Sequence, residues 1–216
     1  MAPSLISRRA PCWLGCPACT PWPWTNCGVG AVRELPRILS VEPIEQGGRV
    51  RAERVHLQFS NGARRVFERS APRGFGAVIV VPMRDADTAL LVREYACGLH
   101  RYELGLVKGR IDEGETVIEA ANRELKEEAG FGARKLEVLR PLTMAPTYMA
   151  HQTWLVLAED LYQEKLQGDE PEPLDVVPWR LDQLDQLMLR DDCSEGRSLA
   201  GLFIAREYLA RRPNKE

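Results

Sequence analysis

Four β-branched residues in a row, Val78-Ile79-Val80-Val81, sit between Ala77 and Pro82. A run this apolar and this short reads as a strand buried in a sheet. Ala89-Leu90-Leu91-Val92-Arg93-Glu94-Tyr95 reads as a second strand, with the turn between the two at Asp85 to Thr88. Residues 116–129 place Val117, Ile118, Ala121, Leu125 and Ala129 on one apolar helix side, and Gly130 follows as a stop. Thr153 to Ala158 and Asp175 to Trp179 are further expected strands. Leu181 to Leu189 and Ser198 to Arg211 are expected amphipathic helices. Elements mixed in this order predict an α/β or α+β domain with helices packed on a mixed sheet.

The segment before this domain has a different pattern. Val50, Val55, Leu57 and Phe59 partly alternate, Asn61-Gly62 follows, and Arg64 to Arg69 continues. Asn-Gly between two such runs signals a hairpin, because both residues tolerate positive φ. A small antiparallel sheet is therefore expected over residues 36–70. Residues 1–35 show neither periodicity. They contain Cys12, Cys16, Cys19 and Cys27, four of the six cysteines, along with Trp13, Trp22 and Trp24. The cysteine spacing only loosely matches a zinc site and lacks the paired pattern, so no metal is assigned there. The expected division is a disordered extension over 1–35, a small sheet and dimerisation lobe over 36–71, and the main domain over 72–216.

Net charge is only -2, so the chain lacks the basic excess expected of a nucleic-acid binder. No apolar run is long enough to span a bilayer. Prolines 11, 17, 21 and 23 interrupt what a secretory signal would need as its apolar core, so a cytoplasmic location is expected. His56, His100 and His151 show no ligand spacing, and Cys97 and Cys193 read as ordinary thiols.

The chemistry is concentrated between Gly109 and Phe131. Glu124, Glu127 and Glu128 fall three and four residues apart, which puts three carboxylates on one helix face. Crowded like charges raise one another's pKa, and the C-terminal end of a helix disfavours anions. A divalent cation removes both penalties, and magnesium takes carboxylate, water and phosphate oxygens together. The plainer reading is a solvated acidic face neutralised by Arg123, Lys126 and Arg134. The surrounding residues weigh against it: Gly109 and Gly114 bracket a loop, and Glu115 stands where it can pair with Arg123 and fix that loop to the helix.

The pattern Gly109-x5-Glu115-x7-Arg123-Glu124-Leu125-x-Glu127-Glu128-x-Gly130 resembles the signature box of the Nudix hydrolases. The resemblance implies a mixed sheet between helices, and Mg²⁺- or Mn²⁺-dependent hydrolysis of a nucleoside diphosphate linked to another group. It makes Glu124 and Glu128 the main metal ligands, with Glu127 beside them as a catalytic carboxylate. Gly109, Glu115, Arg123 and Gly130 become structural positions of the box. Val92-Arg93-Glu94-Tyr95, Tyr102-Glu103-Leu104, Met144-Ala145-Pro146-Thr147-Tyr148 and Gly168-Asp169-Glu170-Pro171-Glu172 are similar to the ADP-ribose pyrophosphatase branch, and within it to bacterial hydrolases of ADP compounds. The resemblance implies ADP-ribose, NADH and diadenosine polyphosphates as substrates. The ADP-ribose branch usually carries Ser-Pro-Gly where this chain has Ala145-Pro146-Thr147, so a broad ADP-compound range is expected rather than strict ADP-ribose specificity. The resemblance also makes Glu170 the candidate base and Glu172 an accessory metal ligand. Arg93, Glu103, Tyr148 and Arg69 are the expected substrate contacts, with Arg69 reaching a site across a homodimer. A binding module of the same fold that senses ADP-ribose or NAD without turnover is the alternative. Such modules lose box carboxylates, and this chain keeps them.

Overall fold

The computed structural model describes residues 37–44, 52–71 and 74–212. The expected extension over 1–35 lies outside the described residues. Three strands come first: β1 (Arg37–Ile44), β2 (Ala52–Gln58) and β3 (Arg64–Ser70). They pair antiparallel in the order β1-β2-β3, and the β2–β3 hairpin closes over Asn61 and Gly62. Within these strands only Val55 is buried. Ile38, Val41, Val66 and Phe67 lie exposed, so the sheet has an unpartnered apolar surface.

The remaining strands are β4 (Ala77–Pro82), β5 (Thr88–Ala96), β6 (Arg101–Gly105), β7 (Val107–Arg110), β8 (Phe131–Thr143), β9 (Gln152–Gln163) and β10 (Asp175–Arg180). The helices are α1 (Val117–Glu124), α2 (Leu184–Leu187) and α3 (Gly196–Arg211). β7-β4-β9-β8 form one mixed sheet, in which β4 and β9 run parallel, and β10-β5-β6 form an antiparallel one.

Alternation along β4 and β9 divides the core in two. Val78, Val80, Val156 and Ala158 pack toward α1 with Ala120, Ala121 and Leu125. Ile79, Val81, Leu155 and Leu157 pack toward α3 with Leu202 and Ala205. The main sheet is thus sandwiched between α1 and α3, as the expected fold class requires.

Three expectations change in detail. The helix expected over 116–129 is α-helical only to Glu124 and then widens into a π turn over Leu125–Ala129. The helix expected over Leu181 to Leu189 is a 3₁₀ turn, Leu181–Gln183, followed by the single turn of α2. The strand expected at Thr153 to Ala158 continues to Gln163, because β8, which the pattern did not reveal, pairs along its whole length. Among the described residues, no helix is long and apolar enough to cross a membrane.

Candidate active site

The box folds from local bonds outward. Thr116 caps α1: its Oγ accepts from the Glu119 N–H at 3.2 Å, and Glu119 accepts from the Thr116 N–H at 2.8 Å. Glu115 accepts from the Asp112 N–H at 3.0 Å, which closes the loop before the helix. Arg123 then ties that loop to the helix. It donates to both oxygens of Glu115 at 2.8 and 2.9 Å and to the Arg110 carbonyl at 2.9 Å. Its remaining nitrogen donates to Glu124 at 2.8 Å and to Glu127 at 3.0 Å. These bonds, those to Glu115 foremost, raise the guanidinium pKa further above its already high value.

The π turn decides how the carboxylates lie. Its wider winding keeps Glu128 beneath Glu124 and swings Glu127 outward. Glu124 and Glu128 are buried, whereas Glu127 keeps 21% of its side chain exposed. The turn ends at Gly130, which is left-handed at φ 75°. Gly109 on β7 has a different task. A Cβ there would overlap the carboxyl of Glu124, so only glycine leaves room for it.

Burial raises the Glu124 carboxyl pKa, opposed by Arg123 and reinforced by Glu127 and Glu170. Burial pushes Glu128 up to about 8. Its partner is the Lys108 N–H at 3.3 Å, while the Lys108 ammonium is held by Glu94 at 2.6 Å. Two buried carboxylates with one guanidinium and one amide between them are a group that a cation would stabilise. Among the described residues, no three such side chains converge in ready coordinating geometry, since Arg123 draws Glu124 and Glu127 to itself. Magnesium keeps several waters and uses substrate phosphate oxygens, so it does not require a closed protein cage.

The other expected residues separate into those brought to the box and those drawn elsewhere. Glu170 comes to it: the loop after β9 folds so that Gly168 faces the Glu127 Cβ, and the Glu170 charge acts on Glu124. Glu172 accepts a hydrogen bond from the Tyr102 hydroxyl, and that bond raises the tyrosine pKa. Arg93 alternates with Glu94 along β5, so it lies on the Leu91 face, toward α3. There it donates to Asp192 at 2.7 Å. Arg190 and Arg93 together hold the Asp192 carboxyl well below the usual range. Glu103 accepts from the Ser194 N–H at 2.9 Å and pins the loop before α3 to β6. Tyr148 lies in an exposed turn whose carbonyl accepts from the Ser70 N–H at 2.8 Å, linking β3 to the main domain. Arg69 is paired with Glu53 at 2.5 Å within the first sheet. Lys108, Glu94 and Tyr102 were not singled out from the sequence, although all three stand in or beside the quoted motifs.

A model of the NUDIX domain matches residues 74–200, and one of the NudE-type Nudix hydrolase N-terminal domain matches residues 36–69. The chain belongs to the Nudix hydrolase family. It is 51% identical to the ADP compounds hydrolase NudE of Escherichia coli (strain K12), covering 82% of this chain and 94% of that protein. An ADP-ribose pyrophosphatase of Bacillus subtilis (strain 168) is 30% identical, over 52% of this chain and 62% of its own length. A crystal structure of an ADP compounds hydrolase superposes with a TM-score of 0.74 at 49% identity, covering 83% of this chain and 97% of the other.

Proposed function

We propose that the chain hydrolyses the pyrophosphate bond of ADP-containing compounds, with Mg²⁺ or Mn²⁺ held by Glu124, Glu127 and Glu128. ADP-ribose, NADH and diadenosine polyphosphates are the substrate set, and AMP or a related nucleotide is the product. The observation that carries this reading is the buried pair Glu124 and Glu128 under the Glu170 loop, in a chain half identical to an ADP compounds hydrolase over nearly all of that relative.

When bound, the cation would neutralise charge on the phosphates and lower the pKa of a coordinated water. The protein supplies the rest. Arg123 fixes the loop to the helix through Glu115 and holds the Glu124 and Glu127 carboxylates beside it until a cation competes for them. Gly109 leaves the space in which the Glu124 carboxyl sits. Glu170 approaches from the opposite loop, where a carboxylate can accept the proton of the attacking water. Glu172 and Arg93 are left out of this set, because Tyr102 and Asp192 engage them.

The working form is a homodimer. Sheet β1-β2-β3 buries only Val55 and exposes Ile38, Val66 and Phe67, and a three-stranded sheet needs a partner surface. Placed against a second subunit, this sheet would bring Arg64, Arg65 and Arg69 toward a polyanionic substrate.

The test is product analysis. The protein is incubated with ADP-ribose, NADH and diadenosine triphosphate, with and without Mg²⁺ or Mn²⁺, and nucleotides are resolved by chromatography. AMP is expected only with metal and is expected to vanish in Glu128→Gln. Metal-independent turnover, or no AMP from any of the three, refutes the reading.

A further inference from the structure

The loop between β9 and β10 is fastened firmly at its start. Glu164 N–H donates to the Gly130 carbonyl at 3.1 Å, and Leu166 N–H to the Lys126 carbonyl at 3.2 Å. Lys126 pairs with Glu164 at 2.9 Å, and the Lys165 ammonium donates to the Glu127 carbonyl. Beyond Leu166 this changes. Among the described residues, the main chain of 167–174 makes no turn or loop bond to other main-chain groups. At the far end Leu174 packs on the α1-side core. Glu170, the group that matters for chemistry, lies in this poorly tied stretch.

Among the described residues, one polar tie crosses from it to the rest of the domain: the Tyr102 hydroxyl donates to Glu172. The tie is well placed to act on Glu170. Pro171 and Pro173 flank Glu172. Each fixes its own φ, so Glu170 to Pro173 forms a stiff link in which anchoring Glu172 limits where the Glu170 backbone can go. Tyr102 is itself held. It stands opposite Tyr95 across β5 and β6, with the rings edge to face at 5.8 Å. The Tyr95 hydroxyl is in turn bonded to His100 Nδ1 at 2.6 Å.

We propose that Tyr102 is a positioning residue: through Glu172 it clasps the β9–β10 loop closed and so presents Glu170 to the box carboxylates. The proposal rests on the reading of Glu170 as the base. It assigns Glu172 a role different from that of a metal ligand, since a carboxylate spent on the clasp is turned toward β6.

The experiment compares Tyr102→Phe, Glu172→Ala and the double variant, each loaded with Mg²⁺. Hydrogen exchange of residues 167–174, kcat, KM for ADP-ribose and the Mg²⁺ concentration for half-maximal rate are measured. Each single variant should raise exchange in that segment and lower kcat roughly two- to tenfold, as losing one solvent-exposed hydrogen bond implies. KM and the Mg²⁺ requirement should stay near wild type. The double variant should be no worse than either single one, because both remove the same bond. Unchanged exchange in Tyr102→Phe overturns the clasp, as do additive losses. A raised Mg²⁺ requirement in Glu172→Ala alone overturns it in favour of a ligand role. Glu170→Gln separates the two readings: near wild-type turnover there, with raised exchange in Tyr102→Phe, leaves the clasp standing and removes the base.

Discussion

Replacing Gly109 with alanine tests the central geometry with a single methyl group. The added Cβ would fall on the carboxyl of Glu124, whose residue is 8% exposed and whose Oε1 accepts from Arg123 at 2.8 Å. β7 cannot withdraw easily, because it is paired to β4 from Val107 to Arg110. Relief therefore comes from Glu124 rotating away, which breaks its bond to Arg123 and takes it out of the proposed metal set. Overpacking of this kind costs about 1–3 kcal/mol. In a chain of this size, each kcal/mol lowers Tm by about 2–4 °C. Activity should suffer far more. Metal-assisted charge stabilisation contributes several kcal/mol to lowering the barrier. Losing one ligand should thus lower kcat on the order of 100- to 1000-fold, at about 1.4 kcal/mol per tenfold. Gly114→Ala is the matched control. Gly114 has φ +86° but nothing within 4 Å of a built Cβ. Alanine there carries only the left-handed strain, about 1–2 kcal/mol, and leaves Glu124 in place. The assay is ADP-ribose turnover against Mg²⁺ concentration, with Tm by calorimetry. Wild-type turnover in Gly109→Ala, or an equal loss of turnover in Gly114→Ala, would show that the overlap with Glu124 does not matter.

Two further outcomes follow from the charges and the first sheet. With metal chelated, Glu128 titrates near 8 in the folded chain, above its ordinary value of 4.5. The stability it confers is therefore present below the unfolded value and lost as pH rises through about 8. Urea unfolding from pH 5 to 8.5 should show the metal-free wild type losing stability relative to Glu128→Gln, and parallel curves would refute the burial argument. For the dimer, mixing Glu128→Gln subunits with Arg69→Ala subunits should restore part of the activity, because one site in each mixed dimer escapes both lesions. No recovery, together with a monomeric mass in solution, would rule out shared sites.

What the sequence makes legible is what lies close along the chain. The Glu115–Arg123 pair joins residues eight apart within one loop and helix, so spacing alone suggested it. Glu124 and Glu128 share a helical repeat and end up buried together. The missing strand β8 shows the opposite case. Ala133 and Leu136 face the α1-side core while Leu139 and Leu142, at the same interval of three, face the α3-side core, because the pairing with β9 slips at Val138/Arg140. A bulge adds a residue and breaks the period of two by which strands are read. Arg93 was hard to place for a different reason. Its motif fixes the residue but not the face of β5, and its partner Asp192 is 99 positions away.

The same distinction explains the polar residues that went unnoticed beside the box. Lys108 precedes Gly109 directly and Glu94 is part of a quoted motif, yet neither spacing hints that they pair with each other or that Lys108 donates its main-chain N–H to Glu128. Those contacts exist because β5 and β7, from two different sheets, both pack against the π turn. Their effects oppose each other. Lys108 lowers the pKa of Glu128, Glu94 and Glu124 raise it, and burial outweighs all of them. A carboxylate left so poorly compensated inside a fold is destabilising on its own. A divalent cation would lift that cost, so of the acidic residues in the box Glu128 supports the proposed metal site most directly.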